Sequence, residues 1–252
     1  MANDRLRDAI LRRGLTPVAL AESVGVDPKT AERWITQGRA PYPKYRHAIA
    51  ALLKETESYL WPDAVAPERA ARIAESELVQ VYPRRGAVPQ ELWVRLLNDA
   101  HERIGILAYG GLFLPEQNPR FVPTLKAKAE SGTQVDILLG DPECAEVASR
   151  GAEEGIGDAM AAKVRNTLAF YVPLRDVQGI EVHFHRTTLY NSIFMFDNEM
   201  LVNTHVYGFP AHHAPVMHLR RLSGGELFNT YADSFDRVWS SSRPVWEPSL
   251  AS

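Results

Sequence analysis

The segment from Thr16 to Gly38 constrains the fold of this 252-residue chain more than any other stretch. It contains a Thr-Pro pair at residues 16–17 and an Asp-Pro pair at residues 27–28. Thr and Asp cap helix N-termini, and proline is tolerated at the first helical position because its missing N–H would be unsatisfied there anyway. Gly25 lies where a residue that accepts positive φ can end a helix. The segment therefore predicts two short helices joined by a tight turn.

The apolar residues of this segment are spaced to pack the two helices against each other. Ala21 and Ala31 are small, and we expect them where the helices cross. The other apolar positions are Leu20, Val24, Val26, Trp34 and Ile35. The polar side chains of the second helix are then expected to face outward. These side chains are Lys29, Thr30, Glu32, Arg33 and Thr36.

This pattern resembles the helix-turn-helix of the Cro/repressor-like (Xre-type) transcription regulators. The resemblance implies an all-α DNA-binding domain over residues 1–61, in which the second helix of the motif, beginning at Asp27, lies in the major groove of an operator. It implies that Lys29, Glu32 and Arg33 contact bases, with Thr30 or Thr36 at the margin. Lys and Arg can bind guanine, and Glu can accept a hydrogen bond from cytosine.

Phosphate binding is expected from residues outside the first helix of the motif. Its first position, which is often a polar residue that binds phosphate in this family, is Pro17 here. The expected phosphate contacts are Arg39, Lys44 and Arg46, or alternatively Arg12 and Arg13. A different interpretation is an ordinary αα-hairpin whose charged face is merely solvated.

The distribution of charge favours DNA binding by the first domain alone. The net charge of the chain is −3, but residues 1–60 contain ten Lys and Arg against seven Asp and Glu. The rest contains eighteen against twenty-four. A balance of +3 predicts weak non-specific affinity per module, so two copies are expected to bind together.

The composition excludes several classes of protein. The single cysteine, Cys144, excludes an intramolecular disulfide and a cysteine-rich zinc site, and it is compatible with a reducing cytoplasm. No apolar run approaches the roughly 20 residues that a membrane span needs. The first residues contain charges and no hydrophobic stretch typical of a signal peptide. A cytoplasmic location without membrane partners is therefore expected.

The chain changes character after an Ala-, Pro- and charge-rich stretch at 62–76, which predicts a linker. Strands are predicted at 78–82, 104–109, 135–139, 180–185, 191–196, 200–206 and 216–222. Helices are predicted at 89–101, 120–129, 145–172 with a break at 151–157, and 226–240. This order predicts an α/β domain over 77–245 with a mixed sheet, followed by a tail at 246–252.

The second domain resembles a single copy of the phospholipase D-like fold. The resemblance depends on the buried strand that ends in Leu139-Gly140-Asp141-Pro142, the late hairpin over 191–206, and the Phe235-x-x-x-Trp239 pattern. Active members carry H-x-K-x4-D before that hairpin, with a histidine nucleophile and a lysine for the phosphoryl oxygens. The matching frame here is Tyr190-x-Ser192-x4-Asp197, which retains only the aspartate. A domain without this phosphodiesterase chemistry, and so not an enzyme, is the expectation.

The resemblance implies a ligand pocket where this motif begins. The expected ligand-binding residues are Tyr190, Asn191, Ser192, Asp197, Asn203, Thr204, His205, Tyr207, His218 and Arg220. Residues of a strand alternate between its faces, so only some of them can point into a pocket. No metal site or cofactor is expected, because the eight histidines follow no ligand spacing, and no G-x-S-x-G indicates a serine hydrolase.

These patterns together predict a one-component transcriptional regulator. Its first domain would bind a DNA operator, and its second would sense a small polar effector, form a homodimer, or both. Two alternatives stay open. One is a phosphodiesterase or nuclease that the first domain directs to DNA, and the other is an oligomerisation scaffold without a ligand.

Overall fold

The computed structural model describes residues 2–64 and 74–246. The chain divides into two compact units, the first made of residues 1–77 and 221–229 and the second of residues 78–220 and 230–252. Of the predicted linker at 62–76, residues 65–73 lie outside the described part of the chain. Of the predicted tail at 246–252, residues 247–252 also lie outside it.

Residues 221–229 belong to the first unit, although the sequence predicted them as part of the second domain. The buried carboxylate of Glu77 explains the difference. It accepts hydrogen bonds from the backbone N–H groups of Leu227, at 2.9 Å, and Phe228, at 3.1 Å. A Cβ at Gly225 would lie 2.3 Å from this carboxyl group, so the close approach requires glycine. The segment is thereby held to the residue that ends the N-terminal part of the unit.

Residues 2–64 of the first unit contain five α-helices. They are α1 (Asp4–Arg12), α2 (Pro17–Val24), α3 (Pro28–Thr36), α4 (Pro43–Leu53) and α5 (Glu57–Leu60). The predicted caps are confirmed: Thr16 accepts from the N–H of Ala19, and Asp27 accepts from the N–H of Lys29. Gly25 ends α2 in the left-handed conformation, with φ of 69°.

These helices enclose one apolar core. Ala21 and Ala31 are fully buried, as expected for residues at the contact between α2 and α3. Further core residues are Leu6, Ile10, Leu20, Trp34, Ile35, Ile49, Leu53, Leu60 and Trp61. Leu11, at 67%, and Leu52, at 38%, are exposed, because each lies on the outer side of its helix. Burial of the remaining apolar stripe is the main source of stability for such short helices.

The second unit alternates helices and strands. Its helices are α6 (Gln90–Asp99), α7 (Phe113–Gln117), α8 (Phe121–Glu130), α9 (Ala145–Glu153) and α10 (Ala159–Tyr171), and α11 (Leu227–Ser240) lies mostly within it. Its strands are β1 (Leu78–Tyr82), β2 (Arg103–Ala108), β3 (Gln134–Gly140), β4 (Ile180–His185), β5 (Asn191–Phe196), β6 (Glu199–Thr204), β7 (Val216–Arg220) and β8 (Arg243–Pro244). The sequence predicted all of these elements except α7 and β8.

The strands form one mixed sheet in the order β1-β7-β6-β5-β2-β3-β4-β8. Strands β2, β3 and β4 are parallel, and the remaining neighbours pair antiparallel. Strands β5 and β6 form a hairpin in which Phe196 pairs with Glu199 and Ser192 pairs with Asn203. The prediction of an α/β domain with a mixed sheet is confirmed.

The two faces of the sheet are covered by different side chains. On one face, the rings of Trp93 and Phe113 lie 5.1 Å and 5.6 Å from the ring of Phe194 in β5. On the other face, a Cβ at Gly105 would lie 2.9 Å from Met195 and 3.2 Å from Phe235 of α11. Since side chains alternate along β5, Ser192 shares the face of Phe194. This register directs Ser192 toward the face that bears Trp93 and Phe113.

None of the described helices combines the length and the apolarity that crossing a membrane requires.

Candidate functional site

Helix α3 presents a polar face to solvent in the first unit. The side chains expected to contact bases lie on this face, with Lys29, Glu32, Arg33 and Thr36 exposed and Thr30 half-buried. The opposite face is buried through Ala31, Trp34 and Ile35. The helix therefore has a buried side that fixes its position and an outer side rich in hydrogen-bonding groups.

The charged side chains of this face have no partner in the described part of the chain. Lys29, Glu32 and Arg33 form no side-chain hydrogen bond and no ion pair with any residue of 2–64 or 74–246. Two basic residues of α1 and its C-terminal end, in contrast, have partners within the unit. The guanidinium of Arg12 lies 3.0 Å from Asp8, and that of Arg13 donates to the carbonyl oxygen of Leu53 at 2.8 Å. Arg12 and Arg13, the alternative phosphate ligands, are thus already bound within the unit.

Arg46 was predicted to bind phosphate, and the structure contradicts this prediction. Its side chain is 9% exposed and its Nε lies 3.2 Å from Glu57, a residue with a side chain that is 7% exposed. Its guanidinium also donates to the carbonyl oxygen of Pro41 at 3.2 Å. Arg46 is a structural ion-pair residue, whereas Arg39 and Lys44 are exposed beyond the end of α3.

The second unit contains a cavity of about 180 Å³ beside the C-terminal end of β2. Two of the residues predicted to bind a ligand line it, Ser192 and His205. Ser192 is the second residue of β5, and His205 directly follows β6, so the hairpin brings them to the same end of the sheet. Ligands of α/β sheets bind at the carboxyl ends of parallel strands, which is where this cavity opens.

Ser192 and His205 form a hydrogen-bonded pair with a defined direction. The Oγ of Ser192 lies 3.0 Å from Nε2 of His205, and Nδ1 of His205 lies 3.1 Å from the carbonyl oxygen of Leu189. A carbonyl oxygen can only accept, so Nδ1 carries the imidazole proton and Nε2 accepts the hydroxyl proton of Ser192. The ring of Tyr109 stacks on the imidazole at 5.7 Å.

The surroundings keep His205 neutral. Burial, together with the positive charges of Arg150 and Arg85, lowers the pKa of His205 to about 4, against the effect of the hydrogen bond to the Leu189 carbonyl. A neutral imidazole retains the lone pair that can receive a proton from Ser192. The resting state of this pair is therefore a neutral hydroxyl and a neutral base.

Arg85 and Lys163 contribute the cations of the cavity. The guanidinium of Arg85 lies 3.9 Å above the ring of Phe113, and its NH1 lies 3.5 Å from the side-chain oxygen of Asn203. Burial lowers the pKa of Arg85 to about 10, so the group stays protonated at neutral pH. Among the described residues, no carboxylate lies within ion-pair distance of Arg85 or Lys163. An anionic group in the cavity would supply the missing partner.

Five other residues predicted to bind a ligand lie near this end of the hairpin but do not line the cavity. Asn203 holds the chain beyond β6, with its amide nitrogen 3.3 Å from the carbonyl oxygen of Ala214, and Thr204 donates to Pro215 at 3.2 Å. Tyr190 is 80% exposed and Asn191 is half-buried. Tyr207 is 82% exposed. Asn203 still contributes indirectly, because it contacts Arg85 and pairs with Ser192 across the hairpin.

The remaining three predicted residues lie at the other end of the hairpin, which corrects the predicted site. Asp197 forms the β5–β6 turn, five residues from Ser192, and a strand of that length spans roughly 16 Å. His218 lies 2.6 Å from the carboxylate of Glu199, and Arg220 lies 3.8 Å from it. His218 and Arg220 thus surround Glu199, and none of the three residues lines the cavity.

No family model matches this sequence. No curated protein is significantly similar to it.

One similar solved structure is that of Nuc, a phospholipase D family member from Salmonella typhimurium. It has a TM-score of 0.38 at 16% identity over 67% of this chain and 97% of Nuc. Another is TrmBL2, an archaeal chromatin protein with a novel mode of DNA binding. It has a TM-score of 0.43 at 12% identity over 92% of this chain and 88% of TrmBL2. At TM-scores and identities this low, neither similarity assigns a function to this chain.

Asp197 has a structural role that its position in the predicted motif did not indicate. Its carboxylate accepts hydrogen bonds from the backbone N–H groups of His101, at 2.8 Å, Glu102, at 2.9 Å, and Arg103, at 2.8 Å. Its φ of 50° lies in the left-handed region, which Asp and Asn tolerate better than other side chains. Asp197 therefore fixes the hairpin turn to the start of β2.

We expect Asp197→Ala to lower the free energy of unfolding by about 2–3 kcal/mol, because three hydrogen bonds to a carboxylate are lost while water can solvate the freed N–H groups. Asp197→Asn keeps an acceptor oxygen and the tolerance of positive φ, so its loss should be smaller. Urea denaturation monitored by circular dichroism measures both. Equal stabilities of the wild type and the Ala variant would contradict this role.

The other cavity residues were not predicted from the sequence. Arg85 lies in a short 3-10 helix (Arg85–Ala87), Tyr109 follows β2, and Lys163 lies in α10. Each comes from a different part of the chain, and only the folded sheet brings them together. One local signal was present: Tyr109, Gly110 and Gly111 directly follow a buried parallel strand, where binding loops commonly lie.

Proposed function

We propose that this protein is a sequence-specific DNA-binding transcriptional regulator that acts as a homodimer on an operator. The observation that carries the proposal is the outer face of α3, where Lys29, Glu32 and Arg33 are exposed and without intramolecular partners in the described part of the chain. Two cations and one carboxylate held unpaired on a firmly packed helix match the hydrogen-bonding groups of the major groove. This arrangement supports the helix-turn-helix interpretation of the motif.

The side chains of this face have distinct expected roles. Lys29 and Arg33 would bind guanine O6 and N7, and Glu32 would accept from a cytosine amino group. Thr30 and Thr36 would make marginal contacts. Arg39 and Lys44, exposed beyond the helix, would bind phosphates and supply affinity without sequence preference.

The second unit would bind a small polar effector in the cavity that contains Arg85, Lys163, Ser192 and His205. Two cations without a carboxylate at ion-pair distance, beside a hydroxyl and the rings of Tyr109 and Phe113, suit an anionic organic molecule. Effector binding would change DNA affinity by altering the pairing of two copies. A ligand that raises the melting temperature of the full-length protein without altering operator affinity would contradict this regulatory role.

Selection of duplexes from a randomised library by the full-length protein tests DNA binding directly. Fluorescence anisotropy with the enriched duplex then compares variants. We expect Arg33→Ala to weaken binding about 5- to 150-fold and to relax the preference at one base pair, because one bidentate base contact is lost. Arg39→Ala should weaken binding to all sequences alike and reduce the salt dependence by about one unit of slope.

Arg7→Ala provides the matched control. Arg7 is also an exposed arginine of the first unit, but it lies on α1 and its guanidinium is 2.8 Å from Asp4. Its replacement should leave the affinity for the enriched duplex unchanged. Failure to enrich any sequence, or equal losses for Arg7→Ala and Arg33→Ala, would refute the proposed role of α3.

A further inference from the structure

The cavity contains the elements of a nucleophilic site that the degenerate motif gave no reason to expect. Nucleophilic catalysis by serine needs a hydroxyl that donates to a base, and a third group that orients the base. Ser192, His205 and the carbonyl oxygen of Leu189 meet this requirement, with distances of 3.0 Å and 3.1 Å. The carbonyl fixes the tautomer and orientation of the imidazole, which is one of the roles of the third group in serine hydrolases.

A second serine–histidine contact in the same unit shows why hydrogen bonding alone is not sufficient. The Oγ of Ser242 lies 2.7 Å from Nδ1 of His183, but it also donates to the carbonyl oxygen of Trp239 at 2.7 Å. Its hydroxyl proton is thus directed at a carbonyl, and the histidine can only donate to Ser242. In contrast, the hydroxyl of Ser192 has His205 as its hydrogen-bond partner.

The charges of the cavity indicate the kind of substrate. Arg85 is held against Phe113 and lacks a carboxylate within ion-pair distance in the described residues. The guanidinium contacts the side chain of Asn203, and Asn203 pairs with Ser192 across the hairpin. Asn203 therefore links Arg85 to the strand position of the hydroxyl. The carboxylate of Glu154, which also lines the cavity, lies 2.8 Å from Arg150 and is neutralised by it. The cavity also contains the cation of Lys163 and the carboxylate of Glu116. The planar guanidinium of Arg85 can bind both oxygens of one carboxylate, and we take a carboxylate as its partner.

We infer that Ser192 and His205 hydrolyse a small carboxylic ester that carries one carboxylate group bound by Arg85. This inference rests on the ligand site of the proposed function and is independent of DNA binding. The cavity volume of about 180 Å³ suits a short-chain acyl group.

The reaction consists of two steps, the acylation and the deacylation of Ser192. The Oγ of Ser192 attacks the ester carbonyl while its proton moves to Nε2 of His205, and the bond to the leaving oxygen breaks as His205 returns that proton to form the alcohol. Water then attacks the Ser192 ester and gives a proton to His205, which returns it to Oγ as the carboxylic acid leaves. Ester and water are consumed, acid and alcohol are formed, and the two residues return to their initial state.

Labelling of the full-length protein with a fluorophosphonate probe tests the nucleophile. Mass spectrometry of the peptides should identify Ser192 as the modified residue. Ser192→Ala and His205→Gln should each abolish the label, whereas His183→Gln should not reduce it. The labelling rate of the wild type should decline as the medium becomes acidic enough to protonate His205, which a purely structural hydrogen bond would not cause. Retained labelling of His205→Gln, or labelling at Ser242 instead, would overturn the inference.

Hydrolysis of chromogenic esters tests the substrate class. The 4-nitrophenyl monoester of succinate should be hydrolysed with a kcat/KM at least tenfold above that of 4-nitrophenyl butyrate, and Arg85→Gln should remove this preference. Folding of each variant is checked by its melting temperature. Equal rates for both esters, or faster hydrolysis of 4-nitrophenyl phosphate at Ser192, would refute the assigned class. Neither result would bear on operator binding, which is measured separately with the Arg33→Ala variant.

Discussion

Arg46→Ala is expected to unfold the helical unit at denaturant concentrations where the wild type is intact. The ion pair with Glu57 is buried, with side-chain exposures of 9% and 7% and an Nε to Oε2 distance of 3.2 Å. Removing one partner leaves the other charge buried, which typically costs about 3–5 kcal/mol. The lost bond to the Pro41 carbonyl adds to this cost because α4 begins directly beyond it. A small domain has a total stability of about 5–15 kcal/mol, so the loss is a large fraction of it.

Hydrogen exchange measured by mass spectrometry can follow this unit within the full-length protein. Peptides from residues 2–64 should lose protection in Arg46→Ala, whereas Arg7→Ala, which removes an exposed pair with Asp4, should resemble the wild type. The double replacement Arg46→Met with Glu57→Leu should recover much of the protection, since no charge stays buried without a partner. Unchanged exchange in Arg46→Ala would show that the pair contributes little.

The misassignment of Arg46 has a specific cause in the sequence. The buried residues of α4 are Arg46, Ile49, Ala50 and Leu53, which follow the helical spacing of three and four residues. Arg46 occupies a core position of this series, and the pattern itself could have shown it. A basic side chain in a basic segment was interpreted as a phosphate ligand because a buried partner on another helix is not visible in one sequence.

The predicted ligand site combined residues from both ends of one hairpin for a related reason. The predicted strands at 191–196 and 200–206 leave three residues between them, whereas in the structure Phe196 pairs with Glu199 and only two residues form the turn. A shift of one residue in register reverses which side chains share a face. Only Ser192 and His205 of the ten residues line the cavity, and their alignment depends on that register. The partners from the rest of the chain, such as Arg85, require the tertiary fold.

His185 should make the second unit sensitive to acid in a definable range of pH. The imidazole is 1% exposed, and burial lowers its pKa to about 4. Its Nε2 lies 3.3 Å from the carbonyl oxygen of Ala108, and Nδ1 accepts from the N–H of Thr187 at 3.3 Å. Both hydrogen bonds suit the neutral imidazole. Protonation of Nδ1 would place its new N–H against the N–H of Thr187, so the hydrogen bond between them would be lost. The nearby carboxylates of Glu146 and Asp141 raise the pKa only in part.

Proton linkage determines whether stability rises or falls with pH. The pKa of an unfolded histidine is about 6.5, so between pH 6.5 and 4 the unfolded chain binds more protons than the folded one. The stability due to neutral His185 is complete above pH 6.5 and is lost as the pH falls toward 4, amounting to about 3 kcal/mol. His205, with its pKa also lowered to about 4 by burial, changes in the same range and direction.

Asp141 affects stability at lower pH than the histidines do, so the two contributions can be distinguished. Burial raises its pKa, but hydrogen bonds from Arg243, the N–H of Glu143 and Arg186 outweigh this effect, and the net pKa lies below its ordinary value. The stability contributed by such a carboxylate is present above its unfolded pKa of about 3.9 and is lost only below it. A loss of stability that begins near pH 6.5 therefore comes from histidines and not from Asp141 and its arginine partners.

His185→Gln isolates the contribution of this residue. The Gln amide can donate to Ala108 and accept from Thr187 without titrating, so the variant should fold at pH 7. Thermal denaturation from pH 7.5 to 4 should show a steep fall in the melting temperature of the second unit for the wild type. The fall should be clearly shallower for His185→Gln, with the remaining slope reduced further by adding His205→Gln. If both variants follow the wild-type curve, the two buried imidazoles titrate alike in the folded and unfolded states, contrary to their burial.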